Sequence, residues 1–533
     1  MIGFDLSLGG ANAGPLSSDP FASYFAPGGG QSVALAHGAA GGLNIWTEVS
    51  PTHAACLRLD NNDPTQRLSW RETLIAELRN IYPIGALTLT GTWSQLQSSG
   101  SGIAGSYTGN RAISTNSASA LATVTVGRDR PYDIWVHYTG RTSGGYIRVD
   151  IDGDQALVNE IGDPASLGFK AFSTYSAVDL QRRLSVKVAS GLTGSHEVAV
   201  RLGGTASPGG NAILLEAIAI TGTLTDDRVL PPQWAPNTAY EMGDEVHYDG
   251  IYYSARANGT SGTAGPTHAS GIASDGALDW RADNRPTYPD FVAIDYASER
   301  EYAIRFTQSG AATELGGQTH GNEPLVTRTV TLDGAPWDET VNALGLSIGN
   351  SIVIDETTTW QTQAGAPVAD CTLSRGVVAG AVTHDVAVTA TGPQLDVEWL
   401  YAAMLPMVRW DGESASTVID TVAAPEETLV NLTDHAGTNP ANITFVGARR
   451  IGLTGVAKAA ALSYGVEAAI TPATGNLIDQ FSAFLRPNLD ARTESGSLDW
   501  IAKAYVQADG ASGLTVTSGD VLAFHSRHVM AVR

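Results

Sequence analysis

Proton-transfer chemistry needs a base held near its substrate and a cation to steady the charge that develops. The Gly-rich turn Gly316–Pro324, GGQTHGNEP, places His320 and Glu323 three residues apart. Tyr401, Arg409 and Lys503 follow in the same C-terminal stretch. The ingredients of such a set are present; a purely structural His–Glu turn is the alternative. Sugar recognition needs something else, an aromatic face to lie against the apolar face of a pyranose. Trp234, Tyr240, Tyr253 and Trp280 are candidates within the span 231–285, and Trp135 is another. A unit that small also needs aromatics simply to build a core, so either role fits them.

Other chemistry is poorly represented. Asp150, Asp152 and Asp154 surround Gly153, but the run lacks the twelfth-position Glu of a calcium-binding loop and reads as a solvated acidic turn. Cys56 and Cys371, the two cysteines, lie too far apart in sequence to form a zinc or disulfide pattern and read as buried thiols. No Gly-x-Ser-x-Gly, His-Glu-x-x-His or phosphate loop occurs. No metal or cofactor is expected.

The elements that must position these residues are mostly strands. Residues 1–84 open irregularly, with isolated aromatics among Gly, Pro and Ser, and read as a docking segment. One helix is expected near 70–82. Ser69 and Glu72 form a capping box, Leu74, Ile75, Leu78 and Ile81 share a face, and Pro83 stops it. Over 85–228 the period becomes two. In YDIWVHY, Tyr132, Ile134, Val136 and Tyr138 alternate with Asp133, Trp135 and His137. Trp135 therefore faces a second core layer or solvent. Residues 229–288 form a small hairpin unit between Pro231-Pro232 and DNRPTYPD. Residues 289–533 are again strand-rich and read as one large β domain. The fold class expected is mainly β: a modular chain of a jelly-roll-like β-sandwich, a small β-hairpin module and a large C-terminal sandwich or super-sandwich.

Three stretches resemble known families. GTWSQLQSSGSGIAGSYTGN, VDIDGD and GSHEVAVRL follow the order seen in jelly-roll carbohydrate-binding modules. The small unit resembles the chitin-binding-like module of chitinases and bacteriophage tail proteins. Gly259–Gly262, Pro266–His268, Ser270-Gly271, Asp275-Gly276 and Trp280 match the tail-protein loop piece by piece. The His, Tyr and Arg or Lys set of the last domain is similar to that of super-sandwich polysaccharide lyases, which implies a Tyr or His as the base at the proton α to a carboxylate, with Arg or Lys around an acidic sugar. The tail-protein resemblance implies a tail fibre, spike or receptor-binding protein that recognises host surface polysaccharide. It also implies a homotrimer, located in the virion after synthesis in the host cytoplasm, docked through its N-terminal segment on other tail or baseplate proteins. A polysaccharide-degrading enzyme with appended binding modules is the alternative.

Charge narrows the partners. The chain of 533 residues carries a net charge of −23, and Lys and Arg total only 31. Such a field repels nucleic acid and anionic membranes, so neither is an expected partner. No apolar run is long enough for a membrane helix, and from the first twenty residues, with no basic start and no apolar core, a signal peptide is not expected.

Overall fold

Alternation of apolar and polar side chains governs nearly every element, and the computed structural model is accordingly built from β-strands in several sheets. It describes residues 33–37, 41–50, 52–60, 65–97, 107–162, 167–224, 231–249, 251–283, 292–296, 302–315, 323–337, 347–408, 417–423, 430–431, 443–457, 462–473, 477–494 and 497–532. The mainly-β, modular sandwich class expected from the sequence is what forms.

The helix expected near 70–82 does not form. Those residues make the strands Ser69–Glu77 and Arg79–Pro83. The apolar positions fit either period over so short a run, and the neighbouring strands decide between them. Ile75 lies opposite Ala55 on one side and Val292 on the other, so its backbone joins a sheet. β-Branched Thr73 and Ile75 suit that pleated surface better than a helix.

Ser69–Glu77 belongs to a six-stranded sheet. Its order is Val292–Tyr296, Ser69–Glu77, His53–Asp60, Leu43–Ser50, Val33–His37 and Ser347–Gly349. One face of this sheet sends Leu35, Ile45, Leu57 and Ile75 into the core shared by Ile304, Phe306, Ile354, Leu373, Val386 and Phe481 of the C-terminal strands. The described part of the N-terminal region is therefore ordered β structure packed into the C-terminal body. That body also contains a seven-stranded and a ten-stranded sheet.

Residues 79–221 carry a nine-stranded, jelly-roll-like sheet system around two long antiparallel strands, Leu121–Gly140 and Gln181–Gly204. Ile134, Val136, Ile147, Val149, Val198 and Val200 fill its core. The small module follows, as a four-stranded sheet and a two-stranded one. Its elements are pinned to the jelly roll. Arg281 Nη2 donates to Asn110 Oδ1 at 3.0 Å, Gln97 Nε2 donates to the Ala255 carbonyl at 3.2 Å, and Arg111 lies 3.5 Å from Glu241. Tyr252 of the module joins Ala34, Trp46, Cys56, Leu78 and Leu224 in a second cluster, so the three parts meet on apolar surface.

Candidate functional site

The aromatic residues of the small module turn inward. Trp280 is 0% exposed, Tyr253 1% and Trp234 5%, while Tyr240 is half-buried. The hairpin Glu245–Tyr248 and Ile251–Ala255 and the strand Leu278–Asp283 supply the sheet on which these rings meet. Tyr240 meets Trp280 edge to face at 5.0 Å, and Trp234 meets Tyr248 in the same way at 5.2 Å. The Trp234 and Trp280 indoles both donate to Asp275 Oδ2, and the Gly262 N–H donates to Asp275 Oδ1 at 2.8 Å. The Tyr240 hydroxyl accepts from the Ala235 N–H at 2.8 Å, and the Tyr253 hydroxyl donates to the His268 carbonyl at 2.9 Å. Burial pushes the Tyr253 phenol up to about 12. As platforms for a sugar, Trp234, Tyr253 and Trp280 are corrected to core residues, because other side chains cover their faces. Sequence reasoning named Asp275 only as part of the loop match and missed its role as the shared acceptor of both indoles.

Trp135 is 3% exposed and is likewise no open platform. Arg79 lies 4.7 Å and Lys187 5.0 Å from its ring, so two cations cover it.

The proposed proton-transfer group is not brought together among the described residues. His320 and Arg409 lie outside them. Glu323 is buried and receives Arg67 Nε at 2.6 Å and the Tyr302 hydroxyl at 2.5 Å. The Arg67 guanidinium also sits 4.8 Å above the Tyr302 ring. Cys371 Sγ is 3.8 Å from that hydroxyl, and burial pushes the Cys371 thiol up to about 12. This is an interior ion pair, far better suited to fixing a core than to meeting a substrate. Lys503 lies on the strand Ser497–Ala508, paired with Pro406 and Arg486.

The acidic turn is also occupied from within. Asp150 pairs with Arg201 and with Arg148 at 2.9 Å; Asp152 lies 2.7 Å from His196; Asp154 accepts the Ala156 N–H. Among the described residues no group of three His, Cys, Asp or Glu side chains is placed to hold a metal ion.

Tyr401 remains at a surface. It lies on the strand Leu395–Val408, where Leu395, Val397 and Leu400 enter the main core. The pairing slips between Arg305 and Phe306, and past this irregularity Trp399 and Tyr401 share the opposite face. Their rings stack at 4.7 Å with an interplanar angle of 27°. Tyr505 lies 4.7 Å from Tyr401 and stacks on Phe484 at 4.5 Å, and both are buried. Trp399 and Tyr401 are half-buried. Beside them Arg305 pairs with Glu314 at 2.8 Å and Glu398 at 2.7 Å, and the Thr307 hydroxyl donates to Glu398 at 2.7 Å. A supported aromatic pair rimmed by fixed donors and acceptors can take an apolar sugar face and its hydroxyls at once.

No family model matches this chain, and no curated protein matches it. Among solved structures it is similar to the CBM36-1 domain of a multidomain xylanase from the hindgut metagenome of Trinervitermes trinervoides. That likeness has 11% identity and a TM-score of 0.18 and covers 27% of this chain and 98% of the other. It is similar to the carbohydrate-binding module CBM36 in complex with calcium and xylotriose, with 10% identity and a TM-score of 0.17 over 26% of this chain and 96% of the other. It is also similar to a provisionally assigned aldose 1-epimerase of Escherichia coli K12, with 11% identity and a TM-score of 0.22 over 55% of this chain and 98% of the other. Likenesses this low assign no function to the chain.

Proposed function

We propose that the chain is a structural and adhesive component of a phage tail, a fibre or spike, that recognises host cell-surface polysaccharide. The observation that carries the adhesive part is the Trp399–Tyr401 stack beside the Arg305–Glu314–Glu398 group on an outer sheet face. Stacked rings with paired polar neighbours on sheet strands bind sugars without ordering a loop first. The tail assignment is supported by the resemblance of residues 259–280 to the loop of tail-protein modules. Small-module contacts to both neighbours suit a protein that transmits load. In this reading the protein is a homotrimer in the virion, attached through its N-terminal region to other tail or baseplate proteins.

A glycan array tests the adhesive part, with Trp399→Ala beside the parent. Parent binding that drops about two- to tenfold in the variant supports the reading, since one stacked aromatic contributes about 0.5–1.5 kcal/mol; equal binding overturns this placement. Mass spectrometry of purified particles tests the tail assignment, and absence of the chain from them would end it. A polysaccharide-degrading enzyme is the competing reading. Its Glu323 would have to leave a buried pair with Arg67 to act, which speaks against it. Release of reducing ends from bound polysaccharide would favour the enzyme.

A further inference from the structure

The chain first passes from the C-terminal body to the jelly roll through one residue, Leu78, set between the strands Ser69–Glu77 and Arg79–Pro83. Its N–H donates to the Thr52 carbonyl at 2.6 Å, on the side of the C-terminal body. Its carbonyl accepts the Gly222 N–H at 2.9 Å, on the jelly-roll side. Arg79, the next residue, ties the junction together. Its Nη2 donates to Glu77 at 3.0 Å, and its Nη1 donates to Ser185 Oγ at 3.0 Å and meets His137 Nε2 at 3.0 Å.

The last contact depends on a protonation state. A guanidinium only donates, so His137 Nε2 must accept, and the ring proton sits on Nδ1, donated to Thr108 Oγ1 at 3.1 Å. A proton added at Nε2 would turn two donors toward each other and set two cations side by side. His53, opposite Glu77 in the C-terminal body, adds a second site; burial first, then Arg79 and Lys187, disfavour its cation against the opposing pull of Glu77. The charged groups around the junction are Arg79, Arg183 and Lys187 on the positive side and Glu77 and Asp133 on the negative side. Glu216, buried, is engaged by Thr139 Oγ1, the Thr108 N–H and the Arg183 N–H rather than by a cation.

We propose that this junction is an acid-sensitive joint: protonation of His137, assisted by His53, expels Arg79 and loosens the jelly roll from the C-terminal body about Leu78. Burial first, then Arg79 and Arg183, hold the His137 imidazole well below its ordinary 6.5. A base depressed in the closed state favours closure fully above 6.5, and that preference falls as pH drops through 6.5 toward its closed-state value. Over this window His137 alone raises the open population about tenfold per pH unit.

Hydrogen exchange of the full chain, corrected for intrinsic rates, tests the joint at about pH 7.5 and about pH 5.5, with tenfold as the change expected for one proton over the unit below 6.5. The amides of Leu78 and Gly222 should exchange about tenfold faster at the lower pH, with the strand Pro367–Val378 unchanged as control. In His137→Gln the increase should fall to about twofold or less. No increase in the parent, or an undiminished one in His137→Gln, overturns the proposal. If that variant does not fold, Arg79→Gln keeps the imidazole and removes the opposing cation; an increase as large as the parent's then overturns it.

Discussion

Trp234 and Trp280 aim their indole N–H groups at one oxygen of Asp275, each at 3.1 Å. They come from opposite ends of the small module, so a single carboxylate closes it. The other oxygen takes the Gly262 N–H, which fixes the start of the Gly- and Ser-rich loop. His268 Nε2 lies 3.0 Å from the Trp280 carbonyl and holds the loop's middle.

Asp275→Ala should therefore destabilise the module by about 3 kcal/mol, since it leaves two buried indoles and one amide without their acceptor. Urea unfolding followed by tryptophan fluorescence measures this. Asp275→Asn keeps an acceptor oxygen and should lose less; equal loss in both variants would show that the charge, not the hydrogen bonds, matters.

Trp280→Ala should cost about 3–5 kcal/mol, as expected for a large ring removed from a packed core. Its effect on glycan binding should follow unfolding, whereas Trp399→Ala, which removes a half-buried ring, should reduce binding with a much smaller drop in melting temperature. Comparing melting curves with array signals separates the two roles.

Glu323→Ala should destabilise the C-terminal body by about 3–5 kcal/mol, because the buried Arg67 would lose the carboxylate it meets at 2.6 Å. Chemical denaturation of the variant checks the size of the loss. An unchanged midpoint would mean that water reaches Arg67.

Both cysteines should be silent to a thiol reagent in the native protein. Cys56 and Cys371 are buried, and Cys371 is held near 12, so almost no thiolate exists at neutral pH. Two thiols should appear on denaturation, counted by absorbance with the reagent in excess; rapid labelling of the native chain would contradict this burial.

Tyr401 and Trp135 show where reading the sequence stopped. Trp135 could be placed on a strand, where alternation separated it from the apolar stripe of Ile134 and Val136, while Tyr401 could be placed only within a strand-rich stretch. Which face of a strand meets solvent depends on what packs there, and Arg79 reaches Trp135 from another strand. Trp399 was not singled out, because the irregular pairing that sets it beside Tyr401 on the outer face cannot be read from one strand alone.

Composition and period two determined, from the sequence alone, that the chain is β-rich, modular and acidic, and Gly, Pro and Asp-Gly turns marked the small module. Tertiary structure decided the rest. It made a strand of residues 69–77, because Ile75 found backbone partners on both sides. It packed the N-terminal strands into the core of strands that lie hundreds of residues later. It turned Trp234, Tyr253 and Trp280 inward. Burial and pairing arise between segments far apart in sequence, and local pattern carries no record of which segments will meet.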